Sequence, residues 1–286
     1  MMRSTVCNGS CTSHRSRRAA PSPTGSRSRR GGGSYILAKA LNSSKSRNRP
    51  GNQREPEPQA AISSQLLGNV AIASFASGAV LGPMLDGLHS SNNVLHYANP
   101  TTITLGAYTL ETCWWVLVLF GVAGVILGVS VPLLDRVWPG RDQAQAPPAP
   151  SWPAVLLCIS LFVAQYGLSG ALDRALADPG SAGSAWVQPL VALLGAGHTQ
   201  DVVLIAYAAL HYLAFDRTAP GLLMSALTAL CGPAIEVALI NGPHLYSYTH
   251  PQVAGIPLWI AWVYFCGGPA VGNLGRRIWA DMEASE

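Results

Sequence analysis

Glu236 is the residue most able to do chemistry in this sequence, because it stands in the middle of the apolar run CGPAIEVALI. An ionised carboxylate at the centre of a membrane helix costs about 3 kcal/mol, unless it faces a polar interior or takes up a proton. It is therefore read either as a polar anchor for a ligand head group or proton-coupled site, or as a neutral structural acid bridging helices. His244 and His250 follow in HLYSYTH. Eight residues of helix between Glu236 and His244 span about 12 Å, too far for one ion unless the chain folds back at Gly242–Pro243. Tyr246, Tyr248 and both histidines read better as an aromatic belt at the membrane interface. No HExxH, CxxC or His-rich box occurs, so no metal and no cofactor is expected.

Other polar groups sit near or inside apolar runs. Gln165, Gln200 and Tyr212 are candidate lining for a pocket that holds a ligand hydroxyl. Asp216 and Arg217 are adjacent, so they do not meet on a helix face, and each needs its own partner. By physics alone they read as helix-end charge, as do Asp173 and Arg174. Gly267, Gly268, Gly272 and Gly275 form a small-residue surface for close helix contact. GGPAVGNLGRR lacks the GK[ST] ending of a phosphate loop. With neither a nucleophile elbow nor a Ser/His/Asp set, no enzyme is expected. A proton-coupled transporter or membrane enzyme built on Glu236 stays as an alternative, against which no second intramembrane acid is read.

The apolar runs that position these residues predict an all-α membrane protein with a six-helix bundle. The spans are placed at about 64–88, 109–134, 152–172, 199–215, 222–240 and 256–278, within a membrane domain at 59–282. The Gly-, Ala- and Ser-rich first helix is expected inside the bundle. Trp186–Leu194 is expected as a short flanking helix or an early extension of the fourth span. The polar stretch from His89 to Thr104, broken at Asn99–Pro100, is expected as a connection. Six spans put Arg136, Arg141, Arg217, Arg276 and Arg277 on one side with both termini, and only Arg174 on the other. That bias makes the termini side stromal or cytosolic, with Arg276–Arg277 as a surface stop signal.

Residues 1–58 have the opposite character. The first 54 hold twelve of the eighteen Lys and Arg and no acid, while the remainder carries a formal charge of −8. The Ser/Arg-rich, acid-free start predicts a disordered organellar transit peptide, chloroplast favoured and endoplasmic reticulum as alternative. The overall +4 belongs to this leader and does not point to nucleic acid. Cys113, Cys158, Cys231 and Cys266 are scattered through apolar runs and read as buried thiols.

Three blocks, ETCWWVLVLFGVAGVILGVSVPLLDRVWP, LHYLAFDRTAPGL and VYFCGGPAVGNLGRRIW, resemble the Insig (insulin-induced gene) family, and the likeness covers about residues 76–280. The resemblance implies a non-enzymatic regulator with a lipid or sterol pocket among six spans. Animal members hold an oxysterol and retain SCAP and HMG-CoA reductase in the endoplasmic reticulum. Asp216, with Arg217 beside it, falls on the family's partner-binding acid. Gln200 lies near a pocket glutamine and Tyr212 near a pocket tryptophan of the family, and Trp115 belongs to the Trp pair of the second helix. The expected partners are therefore a membrane lipid or sterol, integral membrane proteins and a second copy of the chain. A membrane scaffold without lipid sensing is the further alternative.

Overall fold

The computed structural model describes residues 62–106, 108–138 and 147–285. Contacts divide the chain into residues 1–59 and 60–286. The expected leader at 1–58 and Arg141 lie outside the described residues.

The second unit is helical. α1 (Ser64–Ser91), α2 (Trp114–Val137), α3 (Trp152–Ala177), α5 (Ala196–Phe215), α6 (Ala219–Asn241) and α7 (Ile260–Glu283) are the long helices, and α4 (Gln188–Leu194) is a short one. Sequence sets several of the starts. The Ser63 hydroxyl accepts from Leu66 N–H and that of Ser151 from Ala154 N–H. Thr218 caps α6 in the same way through Gly221 N–H. Each satisfies a first-turn donor that the helix itself leaves open.

α1, α2, α3 and α6 are long and apolar enough to cross a membrane. α4 and α5 make a fifth candidate if the bent pair counts as one span. The sixth expected span, α7, is long enough but carries Asn273, Arg276 and Arg277. Its polarity is tolerated because the other helices surround it: its buried residues run from Ile260 through Val263 and the glycines to Trp279. α7, rather than the small-residue α1, is thus the interior helix. A helix walled by protein needs close fit more than an apolar surface.

Glycine makes that fit. A Cβ on Gly275 would run into the carbonyl of Gly128 on α2, and one on Gly268 would lie 2.7 Å from Ser225 Cα on α6. On Gly272 it would meet Val131 at 3.0 Å. Gly267 is different, with its nearest neighbours at 3.6 Å and 3.7 Å. α1 and α2 approach by the same device, Gly78 facing the Phe120 carbonyl and Gly124 that of Ser74.

Strands replace two expected features. The second helix starts at Trp114, not 109, because β2 (Thr101–Leu105) and β3 (Tyr108–Thr112) form an antiparallel hairpin before it. β1 (Leu95–Tyr97) pairs antiparallel with β4 (Tyr246–Tyr248), in register Leu95 with Tyr248 and Tyr97 with Tyr246. Alternation puts Tyr246 and Tyr248 on one face of β4, and both are buried. They belong to the core cluster and not to an interfacial belt.

Candidate functional site

At the end of α7 a single guanidinium organises a buried polar network. Arg276 Nε donates to Asp135 Oδ2 at 2.6 Å and Nη2 to Asp135 Oδ1 at 3.2 Å. Nη1 donates to Asp216 Oδ2 at 3.1 Å and to Asn273 Oδ1 at 3.0 Å, and Nη2 reaches Thr218 Oγ1 at 3.0 Å. The side chains of Arg276, Asp135 and Asp216 are 5%, 4% and 0% exposed. The rigid fork of five guanidinium N–H donors can serve all these acceptors at once, where a lysine ammonium has only three donors. Arg276 is therefore no surface stop signal, and only Arg277 faces outward, paired with Asp281.

This network also fixes the α5–α6 turn. Asp216 Oδ1 accepts from Thr218 N–H at 3.1 Å, and Gly221 leaves room for the carboxylate. Tyr212 donates its hydroxyl to the Thr218 carbonyl at 2.8 Å, and Asn273 Nδ2 donates to the Phe215 carbonyl at 2.8 Å. Arg217 is the exposed member, held at φ 64° with its Nε bonded to the Leu213 carbonyl. Asp216 and Arg217 thus point to different partners, as their adjacency predicts.

At the opposite end, carboxylates meet tyrosines. Glu236 on α6 accepts from Tyr248 at 2.9 Å and from Tyr264 on α7 at 2.8 Å. A second acid, which the sequence reading passed over, lies near the end of α1, where Asp86 accepts from the Tyr97 hydroxyl. The β1–β4 ribbon is thereby tied to α1 and α6 at once. Trp115 closes the group, its ring 6.1 Å from Tyr246 and 5.7 Å from Tyr97. Burial and the neighbouring carboxylates push the Tyr246 hydroxyl far above its ordinary pKa, so it stays protonated.

The histidines go elsewhere. His244 is exposed and its Nδ1 lies 2.7 Å from the Ile240 carbonyl, while His250 Nδ1 lies 2.8 Å from Asp173 Oδ2. Among the described residues no group of three or more His, Cys, Asp or Glu is arranged for a metal ion. Two other histidines are buried, His89, with Nε2 2.9 Å from Ser169 Oγ, and His211, with Nε2 3.1 Å from the Cys158 carbonyl, and neither stands out in the sequence.

Gln165, Gln200 and Tyr212 each bond to backbone rather than converging. Gln165 Nε2 donates to the Trp262 carbonyl and Gln200 Nε2 to that of Ser169, both at 3.1 Å. Gln200 and His89 therefore meet at Ser169, whereas Tyr212 lies about 18 Å further along α5. Gln165 Oε1 is buried with no protein hydrogen-bond partner.

The cavity of note opens between α2 and α6. It has a volume of about 320 Å³ and is walled by Phe120, Ala123 and Ile126 on one side and Leu227, Cys231 and Ile235 on the other. Tyr264 of α7 lines it as well, and its ring lies where a side chain on Gly232 would be. Val122, Ile126 and Ile235 are exposed at its mouth, so it opens sideways onto the apolar surface of the bundle. Its hydroxyls are occupied, Thr228 bonding the Met224 carbonyl and Tyr264 bonding Glu236, while Cys231, expected as a buried thiol, is exposed at the wall because α6 turns that side outward. Such a groove suits an apolar body.

The chain is similar to insulin-induced gene 1 proteins. That of Danio rerio is 27% identical over 205 residues, covering 71% of this chain and 70% of the relative. That of Cricetulus griseus is 26% identical over 209 residues, covering 73% and 70%. Among solved structures, the mycobacterial Insig homolog MvINS from Mycobacterium vanbaalenii superposes with a TM-score of 0.50 at 21% identity. The match covers 73% of this chain and 93% of that one, a likeness of fold. The same protein has also been solved as a cross-linked trimer. The model of the insulin-induced protein (INSIG) family matches residues 70–174 and 197–279, well over half of the sequence, and so the chain belongs to the INSIG family.

Proposed function

We propose that this protein is a non-enzymatic regulatory membrane protein of Insig type that binds a lipid or sterol among its helices and docks integral membrane partners. The observation that carries this reading is the α2–α6 groove, apolar, about 320 Å³ and open toward the bilayer side of the bundle. A ligand entering there meets no unpaired charge, and its recognition rests on shape and apolar contact. α7 serves as the sixth span in this reading, enclosed by the others. Asp216 supports partner binding by shaping the α5–α6 turn, which presents Arg217. Gln165, Gln200, Tyr212, Glu236 and Trp115 act by holding the helices around the pocket. The basic leader directs the protein to a plastid membrane, a proposal tested by fusing residues 1–58 to a fluorescent reporter.

The test is native mass spectrometry of the protein purified from its own membranes, comparing wild type with Ala123→Trp. Ala123 lines the groove, so the indole occupies it. Co-purified lipid in the wild type and its loss in the variant support the proposal. The control is Leu210→Trp, which alters an exposed position of α5 away from the groove. A ligand at a hundred times its dissociation constant adds about 2.7 kcal/mol to stability. If neither sterol nor glycerolipid binds or stabilises the wild type, the chain is a scaffold and the lipid reading fails.

A further inference from the structure

The connection between α3 and α5 lies between the two stretches matched by the family model and contains α4. α4 meets α5 at 99°. The corner is Gly195, at φ 81° with open space around it, so glycine is needed there for its backbone and not for room. The turn is closed on both sides. Gly195 N–H donates to the Val191 carbonyl at 2.8 Å, and the Gly195 carbonyl accepts from Thr199 N–H and Thr199 Oγ1.

α5 has 20 residues and is about 30 Å long, so by length alone it matches the hydrocarbon thickness of a bilayer, and together with α4 it is apolar enough to count as a span. With α5 upright, a helix turned through 99° lies along the membrane plane at the end where α5 begins. Its inner side is seated, Val187 being fully buried in the core and Leu190 and Val191 packed against it. Its outer side is not: Leu193 is 78% exposed, and Trp186, two residues before the helix, is 47% exposed. From Ala182 to Gly197 there is no charged residue. Charges return on either flank at Asp178 and Asp201.

We infer that α4, together with Trp186 just before it, is an in-plane anchor whose exposed residues Trp186 and Leu193 insert into the headgroup–acyl boundary of the bilayer. An indole with one polar edge suits that boundary, and a short apolar face penetrates it without crossing. The anchor sets the depth at which α5 enters, and with it that of Gln200. The inference rests on the membrane-spanning reading of α5 and is independent of any lipid in the α2–α6 groove.

The test uses the full chain with Leu193→Cys in an otherwise cysteine-free background, carrying an environment-sensitive fluorophore. It is reconstituted in phosphatidylcholine/phosphatidylglycerol vesicles with lipids spin-labelled at shallow or deep acyl positions. Ile205→Cys, on the exposed face of mid-α5, is the deep reference. The expected result is blue-shifted emission at position 193 quenched several-fold more by the shallow label than by the deep one, the reverse of position 205. Aqueous emission quenched by iodide overturns the proposal. So does strongest quenching by the deep label, which makes α4–α5 a broken span, or blue-shifted emission that no lipid label quenches, which assigns the face to a protein partner. Helical circular dichroism and a single gel-filtration peak establish that each labelled variant is folded. If position 205 itself is not quenched by lipid, the spanning assignment of α5 fails separately.

Discussion

Arg276 Nε lies 2.6 Å from Asp135 Oδ2 where α7 passes the exit of α2, and the same guanidinium reaches Asp216 Oδ2 at 3.1 Å. One cation thus fastens α7 to α2 and to the α5–α6 turn. Removing it strands two buried carboxylates, and breaking a buried pair in that way costs about 3–5 kcal/mol. Arg276→Met should therefore lower the thermal midpoint in detergent sharply. Arg277→Met next to it removes a partly exposed pair with Asp281 and should cost less than about 1 kcal/mol. Equal losses in the two variants would contradict the network.

Thr218 is cap and network member at once: its Oγ1 accepts from Gly221 N–H at 3.0 Å and from Arg276 at 3.0 Å. Thr218→Val keeps the shape and removes the oxygen. We expect a loss of about 1–2 kcal/mol, typical of a helix N-cap, with α6 fraying first in hydrogen exchange. Unchanged protection across residues 219–222 would refute the capping role.

The four glycines of α7 should respond unequally. Gly275→Ala and Gly268→Ala force backbone apart and should cost about 1–3 kcal/mol or more. Gly267→Ala adds a methyl in ordinary contact with Phe162 and Thr228 and should be neutral or slightly stabilising, since alanine favours helix. A flat series in denaturant melts would mean that helix separation does not depend on these approaches.

Glu236 accepts two tyrosine hydroxyls, so its hydrogen-bonding capacity matters more than its charge. Glu236→Gln keeps an acceptor and should change stability by less than about 1 kcal/mol, while Glu236→Leu leaves hydroxyls unpaired at about 1–3 kcal/mol each. If Gln proves as damaging as Leu, ionisation of Glu236 is part of its work, and the proton-coupled reading regains weight.

α1, α2, α3 and α6 were legible because each is a long apolar run, and the starts read at 64, 152 and 222 lie close to Ser64, Trp152 and Ala219. The close-packing glycines could be picked out by type, but which of them touch backbone depends on the neighbours that α7 meets. The β1–β4 ribbon was not legible. Its strands are three residues each and pair Leu95 with Tyr248, and the His96 and Thr249 side chains beside them bond across 153 residues, a partnership no local pattern encodes. For the same reason HLYSYTH read as an interfacial belt although Tyr246 and Tyr248 are core.

Sequence alone determined that this chain is built of membrane-length helices, that Glu236 sits inside one, and that Asp216 and Arg217 must part company, since hydrophobic length and local geometry are properties of the chain itself. Tertiary structure decided which polar groups are surface and which are interior. Arg276 looked like a boundary charge and became the centre of a buried network, because Asp135 of α2 and Asp216 of the α5–α6 turn arrive to offset its desolvation. The groove between α2 and α6 was likewise decided by packing, since its walls come from two segments far apart in sequence, with Tyr264 of α7 set between them.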